Sequence, residues 1–531
     1  MFVRLHIVVL IAFGHLAPAS GGSVGRLFSK GEGKRGTHDA TEDDGTNAKS
    51  ERWSNLFRFL SNDTEKYKVS SLPDVPFDVG EMYAGLIPID MNDEARALYF
   101  VFQPTIGPPV DDITIWLNGG PGCSSLEGFF QENGRFTWGW GQYVPTINQY
   151  SWVNLTNVLW VEQPVGTGFS IGEVRATSQE DIAADFLGFY ANFQKIFEIK
   201  NFKIYVTGES YAGRYVPYIA SAMLDKNDTE HFNASGALMY DPCIGSCTYT
   251  QQQAAIIPFV AKNNNILRLN DSYIAQLQDL DKSCGYHDYR EAYLTYPATG
   301  VQPEKQFDYS WDYDCDLWDF TYKAAYAPNP CFNVNQIGSG CPLQSDPLGY
   351  PTDLQYSYTG LPVYFDRPDV KKAMHAPENV SWRLCKGPVF LNRDGGDGTG
   401  DSSLDPIQSV LPRVIEKTNR VLVSHGDLDM KILTDGTLMA IQNMSWGGNM
   451  GFQTKPRKPI VINLTDLQYQ AVFEANGLGG IDNLQGVMGV QHFERGLMWA
   501  ETYLCGHMQP QFQPRSSYRH LQWVLGLIDE L

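Results

Sequence analysis

From Tyr83 onward the chain alternates short apolar runs with turn residues. "ALYFVFQP", "ITIWLNGG", "NVLWVEQP" and "FKIYVTGES" are rich in β-branched and aromatic residues and stop at turn residues, which predicts strands. Between the last two lies "SQEDIAADFLGFYANFQKIFEI", apolar at helical spacing with acids in its first turn. "AGRYVPYIASAML" predicts another helix directly after the fourth strand. The rhythm returns late in the chain with "PDVKKAMHA", "NRVLVSHGDLD" and a terminal helix in "SYRHLQWVLGLIDEL". Strands alternating with amphipathic helices predict an α/β domain around a mostly parallel sheet. Residues 241–357 break that pattern, with six cysteines, many Tyr and Asp and few clean strands. They read as an insertion stapled by disulfides, a cap or lid with little core of its own. The core is then split between residues 51–240 and 358–531.

The ends and the composition set the context. "MFVRLHIVVLIAFGHLAPAS" has one Arg, an apolar stretch from Leu5 to Phe13 and a small-residue cleavage site near Ala19, so residues 1–19 read as a secretory signal. Residues 20–50 are polar and Gly-rich, a disordered leader or propeptide with Lys34-Arg35 as a candidate processing pair. No later segment approaches a membrane span. Eight Asn-x-Ser/Thr sequons, at Asn62, Asn154, Asn227, Asn233, Asn270, Asn379, Asn443 and Asn463, fit a secreted glycoprotein, with vacuolar delivery as the other destination. A net charge of −20 disfavours nucleic acid as a partner and suits acidic surroundings. Nine cysteines without zinc-ligand spacing predict disulfides and one free thiol, and no metal.

The chemistry centres on "GESYAGRYVP". Gly208 and Ala212 flank Ser210 at two residues on either side, and the serine falls between a strand and a helix. That is the context of a nucleophile elbow, whose sharp turn needs small neighbours. In this architecture the order along the chain is serine, acid, histidine. His425 precedes the acid candidates, His520 sits inside an amphipathic helix, and His492 lies in an alternating hairpin-like segment. His507 lies at a strand's end between Gly506 and Pro510 and is the preferred base. "RVLVSHGDLDM" offers Asp427 and Asp429; Asp429, three residues after the glycine, is favoured, with Asp427 as the alternative. The backbone N–H of Tyr211 supplies one oxyanion donor, and "WLNGGPGCSS" supplies the other through Gly119 and Gly120.

"WLNGGPGCSSLEGFFQENG", "GESYAGRY", "HGDLD" and "CGHMQP", in this order, closely resemble the serine carboxypeptidases, especially secreted fungal members. The resemblance runs from Tyr83 to the C-terminus. It implies an α/β-hydrolase fold with an inserted cap, and removal of single residues from the free C-terminus of peptides and proteins, without a cofactor. It also implies a triad of Ser210, Asp429 and His507, oxyanion donors at Gly120 and Tyr211, and binding of the substrate's terminal carboxylate by Asn118, Glu132 and Glu209. Two glutamates can hold a carboxylate only where protons are shared. A Cys123–Cys385 bridge follows from the same resemblance, leaving three bridges within the insertion. Cys505 is then the free thiol, and many relatives carry Gly or Ala near that position. Two other outcomes fit the same frame: transfer of the acyl group to an alcohol, and a binding protein that has lost catalysis.

Overall fold

The computed structural model describes residues 57–307, 312–349, 362–391, 400–462, 475 and 486–531. The expected signal at 1–19, the leader at 20–50 and the sequon at Asn463 lie outside the described residues.

Ten strands form one sheet: β1 (Tyr83–Asp90), β2 (Asp93–Gln103), β3 (Asp112–Leu117), β4 (Asn157–Glu162), β5 (Lys203–Glu209), β6 (Ala234–Tyr240), β7 (Val421–Gly426), β8 (Lys458–Val461), β9 (Val487–Glu494) and β10 (Leu497–Thr502). Their spatial order is β1-β2-β4-β3-β5-β6-β7-β10-β9-β8. The six strands from β4 to β10 run parallel, and an antiparallel pair extends the sheet at each edge. All four early runs read as strands from the sequence are among them. The hairpin expected around His492 is β9–β10, with His492 opposite Trp499.

Helices cover both faces. The first helix, α1 (Gln179–Phe197), starts where the Ser178 hydroxyl accepts from the Asp181 N–H, with Glu180 and Asp181 beside the positive end of the helix dipole. It buries Phe186, Phe189, Phe193 and Phe197 against the sheet, and Phe193 meets Phe102 edge-on at 5.2 Å. Each such ring contributes about 2 kcal/mol through burial. The helix after Ser210 is α2 (Ala212–Asp225), on the same face. The opposite layer buries Trp116, Trp160, Tyr240 and Trp523.

The insertion differs from expectation. It contains α3 (Ile256–Leu267), α4 (Asp271–Ser283), α5 (Tyr286–Tyr293) and α6 (Leu317–Tyr326). These enclose a core of their own, with Phe259, Leu277, Tyr289, Leu317 and Phe332 buried. Arg290 and Asp281 are paired inside it through two hydrogen bonds, at 2.8 and 2.7 Å. Cys243–Cys247, Cys284–Cys315 and Cys331–Cys341 are its bridges. Farther on, α7 (Val410–Thr418) and α8 (Thr434–Gln442) rejoin the main domain. Leu438 and Ile441 of α8 pack in the main core while Met439 packs in the insertion's core. The terminal helix, α9 (Pro514–Val524), stops short of the run that predicted it, just before Gly526 at φ +77°. His520 is buried within it, as its position suggested.

Candidate active site

Parallel strands place their C-terminal ends along one edge of the sheet. Ser210 follows β5, Asp429 lies on the loop after β7, and His507 lies on the loop after β10. Ser210 has φ +62°, a left-handed backbone that a serine adopts only when its surroundings enforce it. Here its N–H donates to Tyr240 O at 2.9 Å, and its carbonyl accepts from Gly213 N at 2.9 Å and Cys243 N at 3.0 Å. A Cβ at Gly208 would stand 2.3 Å from Leu117 O and 2.7 Å from the Ala212 methyl. The elbow therefore leaves no space there. Gly213 has a separate reason: a Cβ would meet Pro242 and Cys243 at 2.6–2.8 Å.

The first glycine-rich loop folds against this elbow. A Cβ on Gly119 would lie 2.5 Å from Tyr211 N and 2.8 Å from Ser210 Cβ, so the two backbones touch. Gly120 takes φ +111°. Cys123 is bridged to Cys385, and Ser124 N donates to Leu384 O at 2.7 Å. Behind the loop Glu162 is fully buried. It accepts from the Ser124 hydroxyl, from Phe169 N at 2.5 Å and from Trp382 Nε1 at 3.2 Å. Burial pushes its carboxyl up to about 7, with the hydrogen bonds opposing.

Asp429 and His507 are paired, with Nδ1 of the ring 2.7 Å from Oδ2 of the carboxylate. Asp429 also accepts from Lys431 N at 2.6 Å, and His507 N donates to Asn335 O of the insertion at 2.7 Å. Both side chains are buried. Asp427 points elsewhere: its carboxylate accepts from Cys505 N at 3.2 Å, closing the turn beside it. His492 is engaged by Glu494 at 2.8 Å. Cys505 is free and buried. Reading the sequence missed Asp241, buried at the end of β6, where it accepts from Gly426 N at 2.7 Å. No motif marked it; its position just past a core strand, on the edge that carries the other groups, was the available signal.

The third cluster lies beside the elbow. Asn118 Nδ2 donates to Glu209 Oε1 at 2.8 Å and stands 3.3 Å from Glu132 Oε1 and 3.4 Å from Glu127 Oε2. Trp116 Nε1 donates to Asn118 Oδ1 at 2.7 Å, which turns the amide nitrogen toward the acids. Glu132 and Glu209 are buried, and burial is the main cause that raises both carboxyls above their ordinary range. The charges of Glu132 and Glu127 raise Glu209 further. Glu127 was not foreseen as a member of this group. Of the described sequons, Asn62, Asn227, Asn270 and Asn379 are exposed, and Asn154, Asn233 and Asn443 are half-buried. Among the described residues no helix is long and apolar enough to cross a membrane.

Known proteins resemble this chain over most of its length. The family model for serine carboxypeptidase matches residues 73–526. Serine-type carboxypeptidase F of Aspergillus niger is 60% identical over 480 residues, covering 90% of this chain and 89% of that protein. A probable serine carboxypeptidase of Arthroderma benhamiae is 44% identical over 489 residues, covering 89% and 88%. Among solved structures, the prohormone-processing carboxypeptidase Kex1 of Saccharomyces cerevisiae shares the fold, with a TM-score of 0.66 at 24% identity over 87% of this chain and 96% of that one. With its α/β-hydrolase fold, the chain belongs to the serine carboxypeptidase family.

Proposed function

We propose that this serine-type carboxypeptidase releases single amino acids from free peptide C-termini at acidic pH, through an acyl-enzyme on Ser210. His507 takes the Ser210 proton as the hydroxyl attacks the last peptide carbonyl, and Asp429 holds the ring so that its other nitrogen faces the serine. The developing oxyanion is met by the N–H groups of Gly120 and Tyr211. His507 then gives its proton to the leaving amine, and water repeats the sequence to free the shortened peptide.

The observation that carries this reading is covalent adjacency. Glu209, bonded to Asn118 and raised by burial and by the charge of Glu132, directly precedes Ser210. A substrate carboxylate received there sets its last carbonyl within one residue of the attacking oxygen, which accounts for removal of one residue at a time. A protonated carboxyl donates to that carboxylate, whereas an ionised one repels it. The same reading includes export and glycans on the accessible sequons.

The experiment is a peptide library with free and amidated ends, followed by mass spectrometry at acidic pH. Stepwise loss of C-terminal residues from the free acids alone is the expected result. Internal cleavage, or equal turnover of the amides, would sink the proposal.

A further inference from the structure

Asp241 is fully buried behind the Asp429–His507 pair. Asp241, Asp429 and His507 each bring an oxygen or ring nitrogen within 4.8 Å of the others. Two N–H donors reach Asp241, and a histidine ring stands beside it. Gly426 N reaches Oδ1 at 2.7 Å, His425 Nδ1 stands 3.1 Å from the same oxygen, and Gln509 Nε2 reaches Oδ2 at 2.7 Å. Gln509 Oε1 accepts from Ser424 at 2.7 Å, which fixes the orientation of that amide. Two carboxyl groups this close, out of water, are costly to ionise together.

The neighbours other than His507 supply no compensating charge at acid pH. His425, on β7, is buried, and its burial holds it neutral down to about pH 4. Cys505, on the loop after β10, is a buried thiol raised by burial and by the nearby acids, so it stays protonated. Tyr240, at the end of β6, is raised by burial and is neutral too. Glu209, at the end of β5, is a further acid that senses Asp241. Asp427 accepts from Cys505 N, and the Lys262 ammonium pairs with Glu501 on β10. Burial first, and then the charge of Asp429, holds the Asp241 carboxyl well above its ordinary range.

We propose that Asp241 is a positioning residue for the triad: a second buried carboxyl that keeps its proton and gives it to Asp429 in a hydrogen bond. Asp429 is then held from three sides, by Lys431 N, His507 and Asp241, and presents one charge in one orientation to the ring. The inference rests on the Ser210–His507–Asp429 reading above.

The test is kcat, KM and the pH profile of kcat/KM for Asp241→Ala and Asp241→Asn, with Ser210→Ala as control. Asp241→Ala should lower kcat by about 10- to 100-fold with little change in KM, as loss of alignment does. Asp241→Asn offers an acceptor to Gly426 and a donor to Asp429, and gives up the bond from Gln509. It should recover most of that loss and leave the acid limb of the profile in place. Were Asp241 ionised in the working enzyme, Asp241→Asn would remove a charge beside the pair and move that limb by about one pH unit or more. Such a shift, or full kcat in Asp241→Ala, overturns the proposal. The infrared difference between parent and Asp241→Asn at acid pH should contain the carbonyl band of one protonated acid. Its absence overturns the proposal even where Asp241→Ala does not fold. Turnover by Ser210→Ala would instead condemn the site assignment itself, so the two failures are distinct.

Discussion

Asp429 receives His507 Nδ1 at 2.7 Å, while Asp427, two residues earlier on the same loop, receives Cys505 N. One loop thus carries a buried acid and a half-buried one with different partners. Both follow the same strand end, and only the turn of the backbone between them decides which one meets the ring.

That separation predicts the outcome of a paired substitution. Asp429→Asn leaves the shape and takes away the charge that steadies the imidazolium, so kcat should fall by about 10⁴-fold. Ser210→Ala should lose at least as much while the protein still folds, because the side chain makes no part of the core. Asp427→Asn keeps an acceptor for Cys505 N in its amide oxygen and loses only the charge, so it should cost less than about 1 kcal/mol of stability with kcat little changed. Steady-state kinetics with thermal melts would decide this. A crippled Asp427→Asn beside an active Asp429→Asn would reverse the assignment.

Cys505 should behave as a silent thiol. It is fully buried, and burial raises it well above the usual thiol range, so little thiolate exists to react. The other eight cysteines form four bridges. Titration with an aromatic disulfide reagent should find no reactive thiol in the native protein, and one per chain in denaturant without reductant. More than one would mean that a bridge is missing. Rapid reaction in the native state would mean that the loop before His507 opens readily.

The parts of the chain that were legible in the sequence are those where one physical demand dominates. The strand runs are nearly all apolar because both faces of the parallel strands are covered, and that pattern stands out. Gly208 is legible because the elbow has no space for a Cβ. The insertion was misjudged because its helices present tyrosines and mixed polar residues. On α4 only Leu277 and Asp281 are fully buried, too few for a clear helical stripe. Asp241, Glu127 and Glu162 were missed for a shared reason. An isolated acid has no periodicity, and what sets each apart is a partner distant in the chain, such as Trp382 for Glu162. Ser210, Asp429, His507 and the glutamates beside Asn118 could be singled out only because they sit in long motifs.

Glu162 predicts how stability varies with pH. Its carboxyl moves from an ordinary 4.5 to about 7 in the fold, mainly through burial. Below pH 4.5 both folded and unfolded chains hold the proton, and the group makes no difference. Between 4.5 and about 7 the unfolded chain releases it first, so the folded state binds more protons and loses stability as pH rises. The loss levels off above that range at about 3 kcal/mol. Because Glu162 supports Ser124 and Trp382, the strain falls on the loop bridged by Cys123 and Cys385. Glu162→Gln should flatten the decline of Tm between pH 5 and 7. Parallel Tm curves for parent and variant would show that this carboxyl is not the source.

Chain-end recognition should carry its own pH signature. Asn118 donates to Glu209 at 2.8 Å, and Glu209 is raised by burial and by the charges of Glu132 and Glu127. From about pH 4 a peptide's terminal carboxylate is ionised, while the raised glutamate pair still holds its proton. The pair then donates to an anion. As pH rises through the titration of the pair, the donor disappears and a repelling charge replaces it, so KM for free-acid substrates should climb. An amidated substrate has no carboxylate and gains nothing from the acid side. The free-acid to amide ratio of kcat/KM should therefore be greatest at acid pH, at roughly 4–5, and shrink toward neutrality. Glu209→Gln keeps a donor without an ionisation and should flatten the climb in KM, at the cost of weaker binding at the acid end. Glu127→Gln removes one of the charges that raises Glu209, and should start the climb at lower pH. Matched acid and amide substrates measured from pH 4 to 8 decide the matter. Parallel profiles for the two substrates would mean that these glutamates do not read the chain end, and the carboxylate would have to be received elsewhere.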